Sequence, residues 1–581
     1  MLDIQLASTR AMLWAVFGLF VGRLFLGRIL ALRRGLGIVR CVVKASNIPS
    51  SGIRKNTPGE YLLWLDPFRT LALVLASAFP RPGQVAYYAG RFSRSTLVTS
   101  VRFWTGQPYY FLADADAIKH VTGDRKVFRK DVEAYEVLNI YGPTLVGTED
   151  ADWKRHRAVV NPAFNEANNA LVWKETMHIV SDWFARLGKG ELVDVASAMT
   201  QITLHVISSA GFGIRIPSTP SAPPESIKVS ESSILPFPTA LRTTISYLFA
   251  KVLTPDFLYD LSASLPCPVP LLSDKLDLTR RAFKDLREHI LGVISDARAQ
   301  MLGSGLPMKE ARGREMAEEG SLLRNLVQAN LAEGQSARGL TDDELLSNAF
   351  VSRLTAGTET SANSLTFTLA MLALHPEVQE KLYDETKRVW PRVDADADQL
   401  LNSVSYYTLR EIEYTLAVFR EAMRLYPAEP RLAKLVTEDT VLPYTKFKPI
   451  PEAEKARMAV SKGSVVIIDI WALHMNPIHW SGDVEVFRPE RFLDRPDEGY
   501  RWPRDAFLAF SAGARGCIGI RFAMTESVCI LASLVRRYEV RLPVELEGLS
   551  RRQQKEEMLK WKTGVTTTPT NVRVRLIRRS E

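Results

Sequence analysis

Ten residues near the C-terminus restrict this chain more than any other stretch: Phe510-Ser-Ala-Gly-Ala-Arg-Gly-Cys517-Ile-Gly519. Three glycines crowd one cysteine, and an arginine stands two residues before it. A thiolate that ligates a metal needs backbone wrapped close around the sulfur, with amides pointing at it. Glycine allows that approach and also positive φ. Hydrogen bonds to the sulfur tune how much electron density it gives to the metal. Arg515 is suited to pair with an anionic group beside that metal. The plainer reading of such a fragment is a glycine-rich turn around a buried cysteine. No other Cys or His stands at ligand spacing from Cys517, which disfavours zinc.

The rest of the chain must supply a scaffold for this loop. With 581 residues, 46% hydrophobic and 24% charged, it has the balance of an ordinary globular protein. Its four cysteines (Cys41, Cys267, Cys517 and Cys529) are too few for a disulfide framework, so the catalytic part is expected to face a reducing compartment. Cys529 falls in an apolar helical pattern and reads as core. The net charge of +9 suits nucleic acid, an anionic membrane or an acidic protein partner. No nucleic-acid-binding module is found, and no internal repeat. Pro217–Ser233 is rich in Pro and Ser and reads as a loop.

Apolar patterning between about Asp114 and Lys448 has mostly helical period. Leu97–Phe103, Pro108–Leu112, Val465–Asp469 and Val572–Ile577 have strand composition. The pattern predicts a mainly α fold with small β-sheets, in one large domain. One helix stands out. Thr341-Asp-Asp-Glu344 forms a capping box, with Leu340 and Leu345 as a hydrophobic staple, and the helical pattern runs on to Leu374, where His375-Pro376 stops it. A helix over 342–374 would span about 50 Å. It is apolar or small on nearly every face, so it is expected to run through the interior.

Midway along it lies Ala356-Gly-Thr-Glu-Thr-Ser361, which by itself is compatible with a small-residue packing face. Glu421 and Arg424 are three apart and share a helix face, by themselves an ordinary surface pair. Trp153 and Arg157 are four apart on another helix, within Trp153-Lys-Arg-His-Arg157. Arg offers a planar fork suited to carboxylates. Lys154, Arg155 and His156 read as solvated surface or as a docking surface for an acidic redox partner.

Taken together, these segments resemble the cytochrome P-450 superfamily, from about Arg91 to about Arg578. The string F-x-x-G-x-R-x-C-x-G, filled by Phe510, Gly513, Arg515, Cys517 and Gly519, is similar to the haem-binding signature, and thiolate ligation of haem is the property by which that enzyme class is defined. The resemblance implies haem b, with Cys517 as the axial ligand to iron and Phe510 shielding its ring. Ala356–Ser361 resembles the oxygen-activation motif. That implies Thr360 holding a water that protonates iron-bound oxygen, and Glu359 feeding the proton path. Glu421-x-x-Arg424 and Phe487-Arg-Pro-Glu-Arg491-Phe resemble the two halves of a buried structural triad, Glu421, Arg424 and Arg491. Trp153 and Arg157 resemble the helix that binds haem propionates, and Arg431 and Lys434 are further propionate candidates. Asp152–Arg157 with Asn161–Phe164, and Trp502–Phe507, look most like membrane-bound enzymes of higher fungi. Departures are small: Glu359 and Ser361 replace the commoner Asp and Thr, and Arg353 is an unusual charge one turn before the motif.

The implied activity is monooxygenation. One oxygen atom from O2 enters a small lipophilic substrate, terpenoid or sterol-like, with NADPH electrons from a separate NADPH–cytochrome reductase and cytochrome b5 as a second donor. The alternatives are an isomerase or dehydratase on the same fold, needing no external electrons, and a non-catalytic haem-binding protein. Residues 1–34 are expected to be an N-terminal signal anchor. Ala11–Leu32 is long enough to cross a bilayer, and Arg23 and Arg28 lie near the end where they can snorkel. The basic residues that follow put that side in the cytoplasm, so a single-pass endoplasmic reticulum protein with a cytoplasmic catalytic domain is implied. A cleaved signal peptide and an amphipathic interfacial helix are the rival readings. Residues 35–90 form a linker with the apolar segment Leu71–Phe79, and residues 91–581 the catalytic domain. Ile234–Leu253, with Leu235, Phe237, Leu241, Ile245, Leu248 and Phe249, is expected either to roof a substrate pocket or to be core.

Overall fold

A computed structural model describes residues 95–101, 107–132, 139–188, 190–216, 234–247, 270–302, 321–334, 339–350, 356–390, 403–447, 453–563 and 566–580, with Tyr135, Lys251 and Thr254 besides. The anchor over 1–34, the segment Leu71–Phe79, the loop Pro217–Ser233 and Arg353 lie outside the described residues. No described helix is long and apolar enough to cross a membrane.

The fold is mainly helical with small sheets, as the patterning implies. The described strands are β1 (Leu97–Val101), β2 (Pro108–Leu112), β3 (Phe128–Lys130), β4 (Glu191–Asp194), β5 (Arg431–Val436), β6 (Thr440–Phe447), β7 (Ala453–Val460), β8 (Val465–Asp469), β9 (Tyr538–Arg541), β10 (Trp561–Thr563), β11 (Thr567–Pro569) and β12 (Arg573–Arg578). Five helices carry the residues singled out above: α1 (Asp150–Val160), α2 (Asp342–Ala349), α3 (Ala356–Leu374), α4 (Glu413–Leu425) and α5 (Ile520–Arg537).

The chain groups into two compact units, each drawn from three separate segments. The smaller comprises the chain up to Asp131, Pro430–Val486 and Pro503–Gly516. Its centre is a five-stranded sheet in the order β1-β2-β8-β5-β3. Only the β2–β8 pair is parallel, Tyr109 standing opposite Val465. Alternate residues put Val98, Tyr109, Phe111 and Val465 into one apolar cluster, as period-two patterning requires. A second sheet is the β6–β7 hairpin. The helix Ala115–Gly123 follows β2, its first turn capped by the Asp114 carboxylate accepting from the Ala117 amide.

The larger unit comprises Val132–Glu429, Phe487–Trp502 and Cys517–Glu581. It holds α1 to α5, a sheet in the order β4-β12-β9 and the β10–β11 hairpin. Trp173, Met177, Trp390, Val528, Cys529 and Ala532 pack together in its core, which places Cys529 among packing residues. The capping box at Thr341 and Glu344 is formed in both directions. The run expected as one helix over 342–374 is described as two, α2 and α3, and residues 351–355 lie outside the described residues. α3 ends at Leu374, and the next helix starts at Pro376, where proline supplies a fixed φ and needs no amide partner. Leu235, Phe237 and Leu241 are buried, and the Phe237 ring meets His289 edge-on at 5.9 Å. These three side chains are core. Leu248, Phe249 and the Ile245 side chain lie outside the described residues.

Candidate active site

The larger unit begins its last segment at Cys517. Cys517 is exposed as a residue. Protein packed around it nonetheless desolvates it, and that burial pushes its thiol up, while the Gly519 amide bonded to the sulfur and the nearby Arg157 guanidinium pull it down. Burial in turn pulls Arg157 below its ordinary value, against the Cys517 charge. A desolvated sulfur facing a cation and an amide is poised to become a thiolate once a metal binds it.

Arg157 reaches this position from α1. Trp153, one turn earlier, is buried. The other basic residues of α1 are not all solvated surface, and the expectation for Arg155 and His156 is corrected here. His156 is fully buried, its Nδ1 2.8 Å from Asn348 Nδ2 and its Nε2 3.4 Å from Glu344 Oε1. Arg155 forks onto the Glu344 carboxylate at 2.8 and 2.5 Å. That fork holds Glu344 down to about 2, with the Thr341 amide adding to it. Glu344 therefore caps α2 and ties α2 to α1. Lys154 alone of the three is exposed.

On α3, the oxygen-motif residues face three directions. Thr358 is buried, and its carbonyl accepts from the Thr203 hydroxyl at 3.3 Å. Glu359 and Thr360 are half-buried. Glu359 Oε1 accepts from the Thr566 hydroxyl at 2.6 Å, and Thr566 accepts from Asn363 Nδ2 at 3.0 Å. Ser361 donates to Glu526 of α5, a fully buried carboxyl that burial pushes up to about 8. Glu526 is therefore protonated at neutral pH.

Glu421 of α4 is completely buried and receives Arg424 Nε at 2.6 Å and Nη2 at 2.8 Å. Arg491 Nε lies 3.5 Å from Glu421 Oε1, which also accepts from the Arg488 amide at 3.0 Å. One carboxylate thus gathers two guanidinium groups and a loop amide. The geometry is that of a lock between α4 and the Phe487–Trp502 segment, and it contains no reacting group.

The smaller unit carries the remaining residues apart from Gly519, which belongs to the larger. Phe510 is half-buried. Ser511 and Gly513 both have positive φ, of 60° and 67°. A Cβ on Gly513 would lie 2.6 Å from the Thr122 carbonyl oxygen, so this glycine is required by backbone and by space together. Gly519, with φ of −89° and an ordinary 3.7 Å approach to Phe164, is not required on those grounds. The sequence reading credited all the glycines alike. Arg515 is pushed down to about 9 by burial and then by the charge of Arg125. Lys434, on β5, is buried and is lowered by the same two causes. Two desolvated cations under the influence of a third make a place that favours an anion. Arg431 is engaged otherwise: its Nε donates to the buried Asp469 carboxylate at 3.1 Å, which makes Lys434 the better propionate candidate.

These features fit haem. Among the described residues no three His, Cys, Asp or Glu side chains cluster to hold a metal, and Cys517 is a single thiolate donor of the kind a haem iron would take from its protein. Arg157, beside the sulfur, is a cation of the kind that the carboxylates of such a ring require.

A cytochrome P-450 family model matches residues 98–572. Cytochrome P-450 monooxygenase 124 of Postia placenta is 33% identical over 479 residues, 81% of this chain and 84% of that one. The cytochrome P-450 monooxygenase ORF6 of Penicillium roqueforti is 25% identical over 79% of this chain and 77% of its own. Among solved structures, a mutant cytochrome P-450 haem domain superposes with a TM-score of 0.60 at 21% identity, covering 84% of this chain and 90% of that one. The last likeness concerns the fold.

Proposed function

The chain belongs to the cytochrome P-450 family and is a monooxygenase of that haem-thiolate family, and on that premise we propose that it oxidises a lipophilic substrate, terpenoid or sterol-like, with NADPH electrons from a separate reductase and cytochrome b5 as an auxiliary donor. Haem bound at Cys517 supplies the activation of dioxygen and the insertion of one of its atoms into a C–H bond. This chain's own residues do the rest. Cys517 holds the iron, with Gly519 and Arg157 stabilising the thiolate. Trp153, Arg157, Lys434 and Arg515 orient the cofactor through its carboxylates, Arg431 supporting β5 through Asp469, and Phe510 covers the sulfur side. Thr360 would hold a water, and Glu359 would relay protons to it. Glu421, Arg424 and Arg491 keep the cysteine loop in register.

One observation carries this reading over an electron-independent isomerase: the residues before and after Thr360 in the chain each lead to a carboxyl group. Glu359 precedes it, and Ser361, which follows it, binds the protonated Glu526. Reductive use of dioxygen consumes protons, whereas rearrangement of a peroxide does not. The substrate class rests on the apolar N-terminal run Ala11–Leu32, which as an endoplasmic reticulum anchor would hold the catalytic domain at a lipid surface. The test is a panel of terpenoids, sterols, fatty acids and small phenols, scored by the haem spectral shift on binding and by product formed with NADPH and reductase. Tight binding confined to polar phenols would overturn the substrate class. Turnover of a peroxide with neither NADPH nor reductase would overturn the reaction.

A further inference from the structure

Glu359 meets the C-terminal hairpin through a side chain far from it in the chain. Glu359 and Asn363 are one turn apart on α3 and share a face. Thr566, in the β10–β11 connection, meets both: Asn363 Nδ2 donates to its hydroxyl oxygen at 3.0 Å, and the hydroxyl donates to Glu359 Oε1 at 2.6 Å. All of this lies within the larger unit. Both Asn363 and Thr566 are buried. The polarity of the chain is set by its first member. An amide N–H can only donate, so it occupies a lone pair of Thr566 and leaves the hydroxyl proton for the carboxylate.

Thr566 is itself held. Its neighbour Thr567 donates its amide to the Ala428 carbonyl at 2.8 Å and its hydroxyl to the Pro427 carbonyl at 2.8 Å. Thr568 donates to the Thr566 carbonyl at 3.2 Å. The turn at Pro427 and Ala428 directly follows α4, the helix locked by Glu421 and Arg424. A free glutamate side chain has three rotatable bonds and many positions. Here one of its oxygens is pinned by a hydroxyl whose own backbone is bolted to a rigid turn.

We propose that Thr566 is a positioning residue for proton delivery, fixing the Glu359 carboxylate beside Thr360 through the Asn363–Thr566–Glu359 hydrogen-bond chain. This rests on the role given to Glu359 under the proposed function. Without the pin, the fold keeps its hairpin, but the Glu359 carboxylate samples orientations from which it cannot serve Thr360, and misplacement by about 1 Å can cost about 100-fold in rate.

The experiment compares Thr566→Val, Thr566→Ser, Glu359→Gln and the double variant Thr566→Val/Glu359→Gln as haem-loaded full-length enzymes, with the tightest-binding compound of the panel. Haem content and amide hydrogen exchange of Trp561–Pro569 report on structure independently of activity. Thr566→Val is expected to lower kcat about tenfold, leave KM within about twofold, and raise peroxide released per NADPH, with haem content and hairpin exchange unchanged. Ser is expected to restore kcat, and the double variant to fall no further than Glu359→Gln alone, since coupled residues act as one unit. Wild-type kcat and peroxide release in Thr566→Val, alongside an impaired Glu359→Gln, would overturn this inference and leave the relay standing. Losses that multiply in the double variant would overturn it as well, by showing that Thr566 acts elsewhere. An unimpaired Glu359→Gln would overturn the relay role and this inference with it.

Discussion

Replacing Glu526 by Gln removes a carboxyl whose ionisation the folded protein disfavours at neutral pH, and the consequence can be worked out in advance. Burial raises this carboxyl from 4.5 to about 8, with the Ser361 hydroxyl acting the other way. The unfolded chain ionises it in the ordinary range, so the folded state binds the proton more tightly. Stability from this group is complete below about pH 4.5 and is lost as pH rises through about 8. At about 1.4 kcal/mol per unit, the wild type loses about 3–4 kcal/mol between pH 5 and pH 8 from Glu526 alone. That is a large part of a total that is typically about 5–15 kcal/mol. Gln has the same shape and does not titrate. His156, His205 and His375 are all held below their ordinary range by burial, and they contribute the opposite slope, stability lost as pH falls. They are common to both proteins and cancel in the difference. Guanidinium unfolding of the two holoproteins, compared at steps from pH 5 to pH 8, should show Glu526→Gln gaining on wild type steadily as pH rises. Curves that stay parallel across the range would refute the reasoning.

Glu421→Ala strands Arg424 and Arg491 as buried cations without the carboxylate they share, at a cost of about 3–5 kcal/mol; haem-loaded protein should scarcely accumulate on expression, and wild-type yields would contradict the lock. Gly513→Ala places a methyl 2.6 Å from the Thr122 carbonyl at a φ of 67°, so the holoprotein should lose about 1–3 kcal/mol in unfolding free energy; an unchanged unfolding midpoint would show that the loop has room to shift. Thr360→Ala should retain haem and substrate binding while NADPH oxidation yields peroxide in place of product; unchanged product per NADPH would remove Thr360 from the proton path.

What could be read in the sequence was whatever short-range rules govern. β2 and β8 coincide with the composition-based strands Pro108–Leu112 and Val465–Asp469. The capping box at Thr341 and the proline stop after Leu374 are likewise local signals. Long-range pairing was not legible. His156 and Arg155 look like solvated charge until Glu344, far along the chain, is brought beside them. Thr566 sits in a run of threonines that reads as ordinary strand, and nothing local links it to Glu359. Glu526 did leave a signal that could have been used: a lone carboxyl within Thr525-Glu-Ser-Val-Cys-Ile-Leu-Ala-Ser-Leu-Val535, an otherwise uncharged stretch of helix, needs a buried partner or a proton. The glycines of the cysteine loop look equivalent as letters, and only φ and the distance to Thr122 single out Gly513. The division into two units, each assembled from three segments, also leaves no trace in composition.

The role of Cys517 as the iron ligand is tested most directly by the spectrum of the reduced enzyme under carbon monoxide. The wild type should show the strongly red-shifted Soret band that requires a thiolate opposite the bound gas. Cys517→Ser, which keeps the size of the side chain and replaces the sulfur by oxygen, should lose that band, while Cys529→Ser, at the buried core cysteine, should keep it. An unaltered red-shifted band in Cys517→Ser would contradict the account at its centre.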